Sequence, residues 1–525
     1  MPFFAMRQSA NIPPIFQLPD EIIEEIVAEL HLHRDLIAFA LTSKISASLV
    51  IPHHTQYRIL RVRHSLPEMW AHLARRSDLT RNIREVHISA PSQNTMPDRY
   101  PTTLIDKKLD GNVKNAEETT RIRNLCQALQ HMHHLRVFNW SWEDGAILQR
   151  PTSHSAHENA IMKTLCGLKE LKTVRFNGSF AFHALSSALD SKSETYPGWN
   201  LSNLTSLSLT GTAFAKSSNS KHISHLLSRS PNLESLEAPV EFQHLVDCKL
   251  PKLKRLKLSM VSGLLSGTDT SRAIFLQAHP SIEELYWLPT GQVILAPGSL
   301  PNLRIVKSNR QLMEALEATE VMTPCPLSPP STPVAASAPS LEEPSVPVEL
   351  PPPVLRPIEY MDINNMSAQS LLDATCIDRS ALRRLVIGSF DDFSTLHEVA
   401  ASFPNIEWIS LPPVHLPSDS THPEVVKRDG WIEIFSKFPK LKTIRGAGIW
   451  ACVGYDKQAM HEMIGDLIQV CPNLRELDHS HYSTRAQATR RIVIKRSGEH
   501  GEIVNYGVHS PHIKDPLDLV ADHFY

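Results

Sequence analysis

The stretch LPKLKRLKLS, residues 250–259, sets Leu253, Leu256 and Leu258 in an L-x-x-L-x-L pattern directly behind a proline. Proline cannot continue a preceding helix and fixes an extended entry, and the alternating residues after it then form a short strand with one apolar face. The pattern returns as Leu135/Phe138/Trp140, Leu171/Val174/Phe176, Leu204/Leu207/Leu209, Leu233/Leu236, Ile282/Leu285/Trp287, Leu303/Val306, Leu382/Leu385/Ile387, Ile406/Ile409/Leu411, Leu441/Ile444 and Leu474/Leu477. A degenerate copy lies earlier, at Ile83/Val86/Ile88. Seven copies are entered through Pro-x-Leu or Pro-x-Ile, at Pro231, Pro251, Pro280, Pro301, Pro404, Pro439 and Pro472.

Helical stretches separate the copies, among them SKHISHLLSRS (220–230), DTSRAIFLQAH (269–279) and HEMIGDLIQVC (461–471). Where no large insert intervenes, successive copies start 20 to 36 residues apart. Strand, turn and helix repeated at that interval predict an α/β fold: an irregular leucine-rich-repeat solenoid, a curved parallel sheet with helices outside, in which each repeat buries its neighbour. The alternative is a globular α/β domain with similar strands by chance. The predicted array spans residues 61–318 and 358–485, and residues 486–525 are expected to form a capping hairpin from RRIVIK and EIVNYGV.

Residues 319–357 break the array, with twelve prolines between Pro324 and Pro357. Such a segment can neither complete a strand ladder nor bury a core, so a disordered insert is expected. Thr323-Pro324, Ser328-Pro329 and Thr332-Pro333 are the minimal dipeptides of a proline-directed kinase, and also common in any such linker.

Near the start, after a loose tail at 1–15, comes FQLPDEIIEEIVAELHLHRDLIAFALTSK, residues 16–44. Pro19 suits a first helical turn and Asp20 and Glu21 suit the positive end of a helix dipole, while Ile22, Ile23, Ile26 and Leu30 recur at helical spacing. A second helix is expected from Asp35 and a third segment continues through ISASLVIPHHTQYRILRVR. A helical unit of about forty-five residues seldom stabilises itself on its own core. Its apolar stripe either caps the repeats or docks a partner.

Leu18-Pro19, Glu21-Ile22, Ile26, Leu30, Asp35-Leu36 and Leu41-Thr42-Ser43-Lys44 closely resemble the F-box motif, over roughly residues 16–60, with Ile45, Ser46 and Ala47 standing where the family usually carries an aromatic residue. The chain is thus similar to fungal F-box proteins with irregular leucine-rich repeats. That resemblance implies that Leu18, Pro19, Ile22, Ile23, Ile26, Leu30, Leu36 and Leu41 bind the small Skp-type adaptor of a cullin-RING ubiquitin ligase. It further implies a substrate receptor that performs no bond chemistry. A scaffold that engages no cullin is the competing expectation.

Composition narrows the rest. With 53 basic and 55 acidic residues the net charge is -2, which gives no global drive toward nucleic acid or anionic membrane. Seven scattered cysteines without a CxxC pair read as a reduced chain of the cytoplasm or nucleus, and no apolar run approaches a bilayer span. The histidines of HMHH (131–134) and HSHY (479–482) lack metal-site spacing, the glycines of GAGIWACVG (446–454) do not fit a dinucleotide loop, and no nucleophile motif occurs. No catalytic residue, metal or cofactor is therefore expected.

The remaining candidate site is the strand face turned away from the buried leucines. Register puts Arg175, Arg255, Lys257, Tyr286, Lys307, Trp408 and Arg445 there, with Glu284, Arg384, Glu476 and Asp478 beside them. Tyr, Trp and Arg are the usual anchors of interfaces, so this is the expected client surface. Lys257, Tyr286 and Lys307 on neighbouring strands would form a cationic-aromatic patch for an acidic or phosphorylated segment.

Overall fold

The computed structural model describes residues 14–89, 116–141, 153–180, 197–259, 270–317, 354–412, 427–479, 490–497 and 503–509, with breaks of one to three residues inside several spans. The tail at 1–13, the three kinase dipeptides, the insert as far as residue 353 and the last sixteen residues lie outside them. The chain divides into two compact units, Met1–Leu233 and Glu234–Tyr525.

The first unit opens with three helices, α1 (Asp20–Glu29), α2 (His33–Ala40) and α3 (Lys44–Val50). Asp35 falls inside the first turn of α2 rather than capping it. Ser43 caps α3, its Oγ accepting the Ser46 N–H at 3.0 Å. Ile23, Val27, Leu36, Ala40 and Val50 close a small core, against which Phe16, Leu30, Phe39 and Leu49 pack.

The segment after α3 corrects an expectation. It continues as strand rather than helix, because Tyr57, Leu60 and Val62 repeat the L-x-x-L-x-L spacing and are buried in the repeat core. Arg58 ties the two parts together, its guanidinium donating to the Ala28 carbonyl at 2.7 Å and the Val27 carbonyl at 3.4 Å, the open C-terminal end of α1. His54 lies 3.4 Å from Glu24, and that contact, together with the nearby Arg81, holds the Glu24 carboxyl below the usual carboxylate range.

Five parallel strands succeed one another in chain order: β1 (Ile59–Arg63), β2 (Glu85–Ser89), β3 (Val137–Ser141), β4 (Thr173–Asn177) and β5 (Ser206–Thr210). Their second and fourth residues are buried wherever side chains are described, as Phe138/Trp140 and Val174/Phe176 are, so the leucine positions of the sequence form the core.

The second unit carries β6 (Ser235–Pro239), β7 (Arg255–Ser259), β8 (Glu284–Tyr286), β9 (Ile305–Asn309), β10 (Tyr360–Asn364), β11 (Arg384–Val386), β12 (Trp408–Ser410), β13 (Thr443–Arg445), β14 (Glu476–Asp478), β15 (Arg491–Ser497) and β16 (Ile503–His509). β6 to β14 pair parallel in sequence order, and β14, β15 and β16 pair antiparallel, the expected terminal hairpin. The antiparallel turn-back covers the edge that a parallel ladder would leave open.

Strand β10 has no counterpart in the leucine pattern of the sequence. Ile358, two residues before it, and its own Met361 and Ile363 are buried in the same frame as the leucines elsewhere, directly behind Pro357. The end of the proline-rich run is also packed rather than disordered: Arg356 is 2% exposed and bridges to Ile377. Its Nη1 donates to the carbonyls of both Leu316 and Val354, at 3.1 and 3.2 Å, and its Nε and Nη2 donate to the Ser299 carbonyl at 3.1 and 2.8 Å. One side chain thus holds the chain on both sides of the insert.

Gly446, within the glycine-rich stretch, has φ +90 and packs against backbone, where a Cβ would lie 2.1 Å from the Leu411 carbonyl oxygen. Its role is a tight exit from β13 rather than phosphate binding. Gly446→Ala is expected to lower unfolding stability by about 2 kcal/mol, combining left-handed strain and backbone displacement, as read from a urea titration.

Candidate interaction surfaces

The fold presents two surfaces. The first is formed by the N-terminal helices. Ile23 and Leu36, expected to bind a partner, are 2% and 0% exposed and belong to the helices' own core. Helical spacing gives two adjacent stripes one residue apart, Ile22/Ile26 and Ile23/Val27, and the second is the one that packs inward. The outward stripe leaves Leu18 41%, Ile22 44%, Ile26 39% and Leu41 82% exposed, with Pro19 exposed beside them and Leu30 half-buried. Ile45 at 49% and Ile51 at 48% extend it beyond the residues that the sequence singles out.

The second is the outward face of the strands, described within each unit separately. The predicted register holds: Lys257 pairs across to Tyr286, and Tyr286 to Lys307. The chemistry differs from expectation. Lys257 meets Glu237 at 2.6 Å, and Lys307, 5% exposed, meets Asp362 at 2.9 Å. Arg445, 7% exposed, meets Glu476 at 2.8 Å and Asp478 at 3.2 Å. These cations are neutralised by the neighbouring strand, so the expected anion-binding patch at Lys257 and Lys307 is replaced by internal ion pairs. Tyr286 is buried, and burial pushes its hydroxyl pKa up.

What stays open on this face is different. Arg175 is exposed on the first unit and Arg255 on the second. Arg384 sits between two rings, 5.5 Å from the centroid of Tyr360 and 4.8 Å from that of the half-buried Trp408. Cation–π contact of this kind fixes a guanidinium plane at a surface. Asp478, 2% exposed, accepts the Gly446 N–H at 3.0 Å, and burial raises its pKa despite Arg445.

Among the described residues no group of three or more His, Cys, Asp and Glu side chains is arranged to hold a metal ion, and no helix is long and apolar enough to cross a membrane. His134 of the histidine cluster faces Glu170 at 3.0 Å. Six described cysteines are free, and burial pushes the thiols of Cys376 and Cys471 up to about 11 and about 12. Both are expected to escape iodoacetamide at pH 8 in the folded protein and to react on denaturation, a difference that peptide mass mapping measures.

No family model matches the chain. Nor does any curated protein. Among solved structures 41 chains match, and one is titled "Crystal structure of TLR13-ssRNA13 complex", with 11% identity, a TM-score of 0.28 and coverage of 76% of this chain. The chain spans 44% of that protein's length, and a likeness so weak carries no argument about function. The class rests on the strands themselves: a mixed α/β fold with long, mostly parallel ladders and intervening helices, resembling a leucine-rich-repeat solenoid.

Proposed function

We propose that the chain is the substrate-recognition subunit of an SCF-type cullin-RING ubiquitin ligase, its N-terminal helices holding a Skp-type adaptor and its strand face holding the client. The observation that carries this reading is the outward stripe. Six of the twelve large apolar residues exposed among the described residues, Leu18, Ile22, Ile26, Leu41, Ile45 and Ile51, fall on or beside three short helices that already bury a core of their own. An internal cap would turn that stripe inward. The F-box resemblance of residues 16–60 supplies the identity of the partner.

In this role the protein carries out no bond chemistry. It raises the effective concentration of client lysines near a ubiquitin-charged enzyme brought by the other subunits. The client anchors that remain accessible or partly so are Arg175 on the first unit and, separately, Arg255, Arg384 and Trp408 on the second, Arg384 lying against the buried Tyr360.

The test is affinity purification of the intact chain from a fungal lysate, with mass spectrometry of the bound proteins. Adaptor and cullin together are the expected result. Adaptor without cullin would favour a scaffold, and neither would remove the ligase reading.

A further inference from the structure

β16 (Ile503–His509) is the terminal strand of its ladder and pairs only with β15 among the described residues. Backbone alternation decides which of its polar groups point outward. The Ile494 N–H donates to the Arg475 carbonyl, so Ile492 and Ile494 turn toward β14, while Val493 and Lys495 turn toward β16, to Gly507 and Asn505. The N–H and carbonyl groups of Val504, Tyr506 and Val508 therefore point away from the ladder. The Tyr506 N–H donates to Asn505 Oδ1 at 2.7 Å, a local bond that an added strand would displace. No other hydrogen bond reaches this edge among the described residues.

Edge strands are ordinarily protected by charge, by proline or by being short. β1, which opens the ladder of the first unit, carries Arg61 and Arg63. β16 runs for seven residues, IVNYGVH, with no lysine, arginine, aspartate, glutamate or proline. It is also held in place. Arg496 donates to the Ile468 and Cys471 carbonyls at 3.3 and 3.2 Å, at the C-terminal end of the helix Lys457–Val470, and the Tyr506 hydroxyl meets His461 Nδ1 of that helix at 2.7 Å. Val508 is 50% exposed. A fixed, uncharged edge adds a strand at little cost in ordering.

We propose that β16 is a self-association edge, pairing antiparallel with β16 of a second copy of this chain about a two-fold axis through Tyr506. The sequence selects that occupant. Val504-Asn505-Tyr506-Gly507-Val508 sets a valine at equal distance on either side of the tyrosine, so the outward-pointing residues read the same in both directions. Centred there, Tyr506 lies opposite its own counterpart, and Val504 lies opposite Val508 of the second copy. Each of these pairs exchanges both backbone hydrogen bonds, and aromatic and β-branched residues directly opposite one another are favourable. With no charge in the strand, self-pairing sets no like charges face to face. The contact is isologous and closes at two copies. It does not depend on the ligase reading.

The experiment is sedimentation velocity of the purified full-length chain between about 1 and 100 μM, since a single strand edge makes a small interface of modest affinity. Concentration-dependent conversion to twice the monomer mass is expected. Val508→Pro removes an outward donor without touching the β15 ladder, and is expected to weaken dimerisation about tenfold or more. Tyr506→Lys and Tyr506→Glu are each expected to be monomeric and their equimolar mixture to recover the dimer, because an axis at residue 506 sets the two opposite charges face to face. Ile22→Asp/Ile26→Asp, in the exposed stripe of the N-terminal helices, is expected to leave the dimer unchanged. Thermal melts check that every variant is folded. A dimer indifferent to Val508→Pro, one lost in the N-terminal variant, or a mixture that stays monomeric would overturn the proposal. A monomer throughout would overturn it too, leaving the edge to a strand of another protein or to residues 510–525 of the chain itself.

Discussion

Arg356→Leu is expected to lower unfolding stability by about 3–4 kcal/mol, because it strips three backbone carbonyls of their donors, of which the Leu316 carbonyl is the one held in a fully buried bond. The carbonyls are those of Ser299, Leu316 and Val354, and the side chain that serves them is 2% exposed. An unsatisfied buried acceptor costs about 1–3 kcal/mol, the part-buried Ser299 and Val354 carbonyls cost less because water reaches them, and leucine offers no compensating hydrogen bond. Burial lowers the Arg356 pKa and raises that of Glu317, so the site tolerates charge only through this network. Arg356→Lys should recover little, since a single ammonium cannot reproduce the planar fork. Urea titration of the three proteins measures the effect. A loss under about 1 kcal/mol in the leucine variant would mean that the carbonyls find water instead.

Ile22→Asp/Ile26→Asp is expected to weaken adaptor binding more than about 100-fold, a change of about 2.8 kcal/mol. Both side chains are already partly covered, at 44% and 39% exposure, so burying the remainder yields only about 1 kcal/mol apiece. The carboxylates supply the rest, because a desolvated, unpaired charge costs several kcal/mol more. Isothermal titration with purified adaptor reads the affinity. The matched control is Ile23→Asp, one residue along, which places the charge in the helices' own core and should unfold them. Unchanged affinity in the double variant, with the fold intact, would show that the stripe has no adaptor to bury it.

The repeat frame was legible because apolar residues recur at a fixed spacing behind prolines, and that spacing also gave the Lys257–Tyr286–Lys307 register. The electrostatics of the face were not. The partner of Lys307 is Asp362, on β10, a strand whose Met361 and Ile363 stand in for leucines just after a proline-rich run and so escape a leucine search. Missing one strand converted a neutral ion pair into an apparent binding patch. Likewise the choice between the Ile22 and Ile23 stripes is not written in helical spacing, which supplies both. Contacts with Val27, Leu36 and Val50 decide it, and these depend on how three helices meet.

The Arg356 network has a consequence for chain connectivity. β9 and β10 pair along five residues, Ile305 to Asn309 against Tyr360 to Asn364, although the whole insert lies between them in sequence. The arginine belongs to the later part of the chain, and two of its three acceptors, Ser299 and Leu316, to the earlier part. The peptide bonds between residues 318 and 353 are therefore dispensable for holding these strands together. Two polypeptides severed anywhere in that interval retain a complementary seam of strand hydrogen bonds and a guanidinium plug, the requirements for reassembly as a split protein.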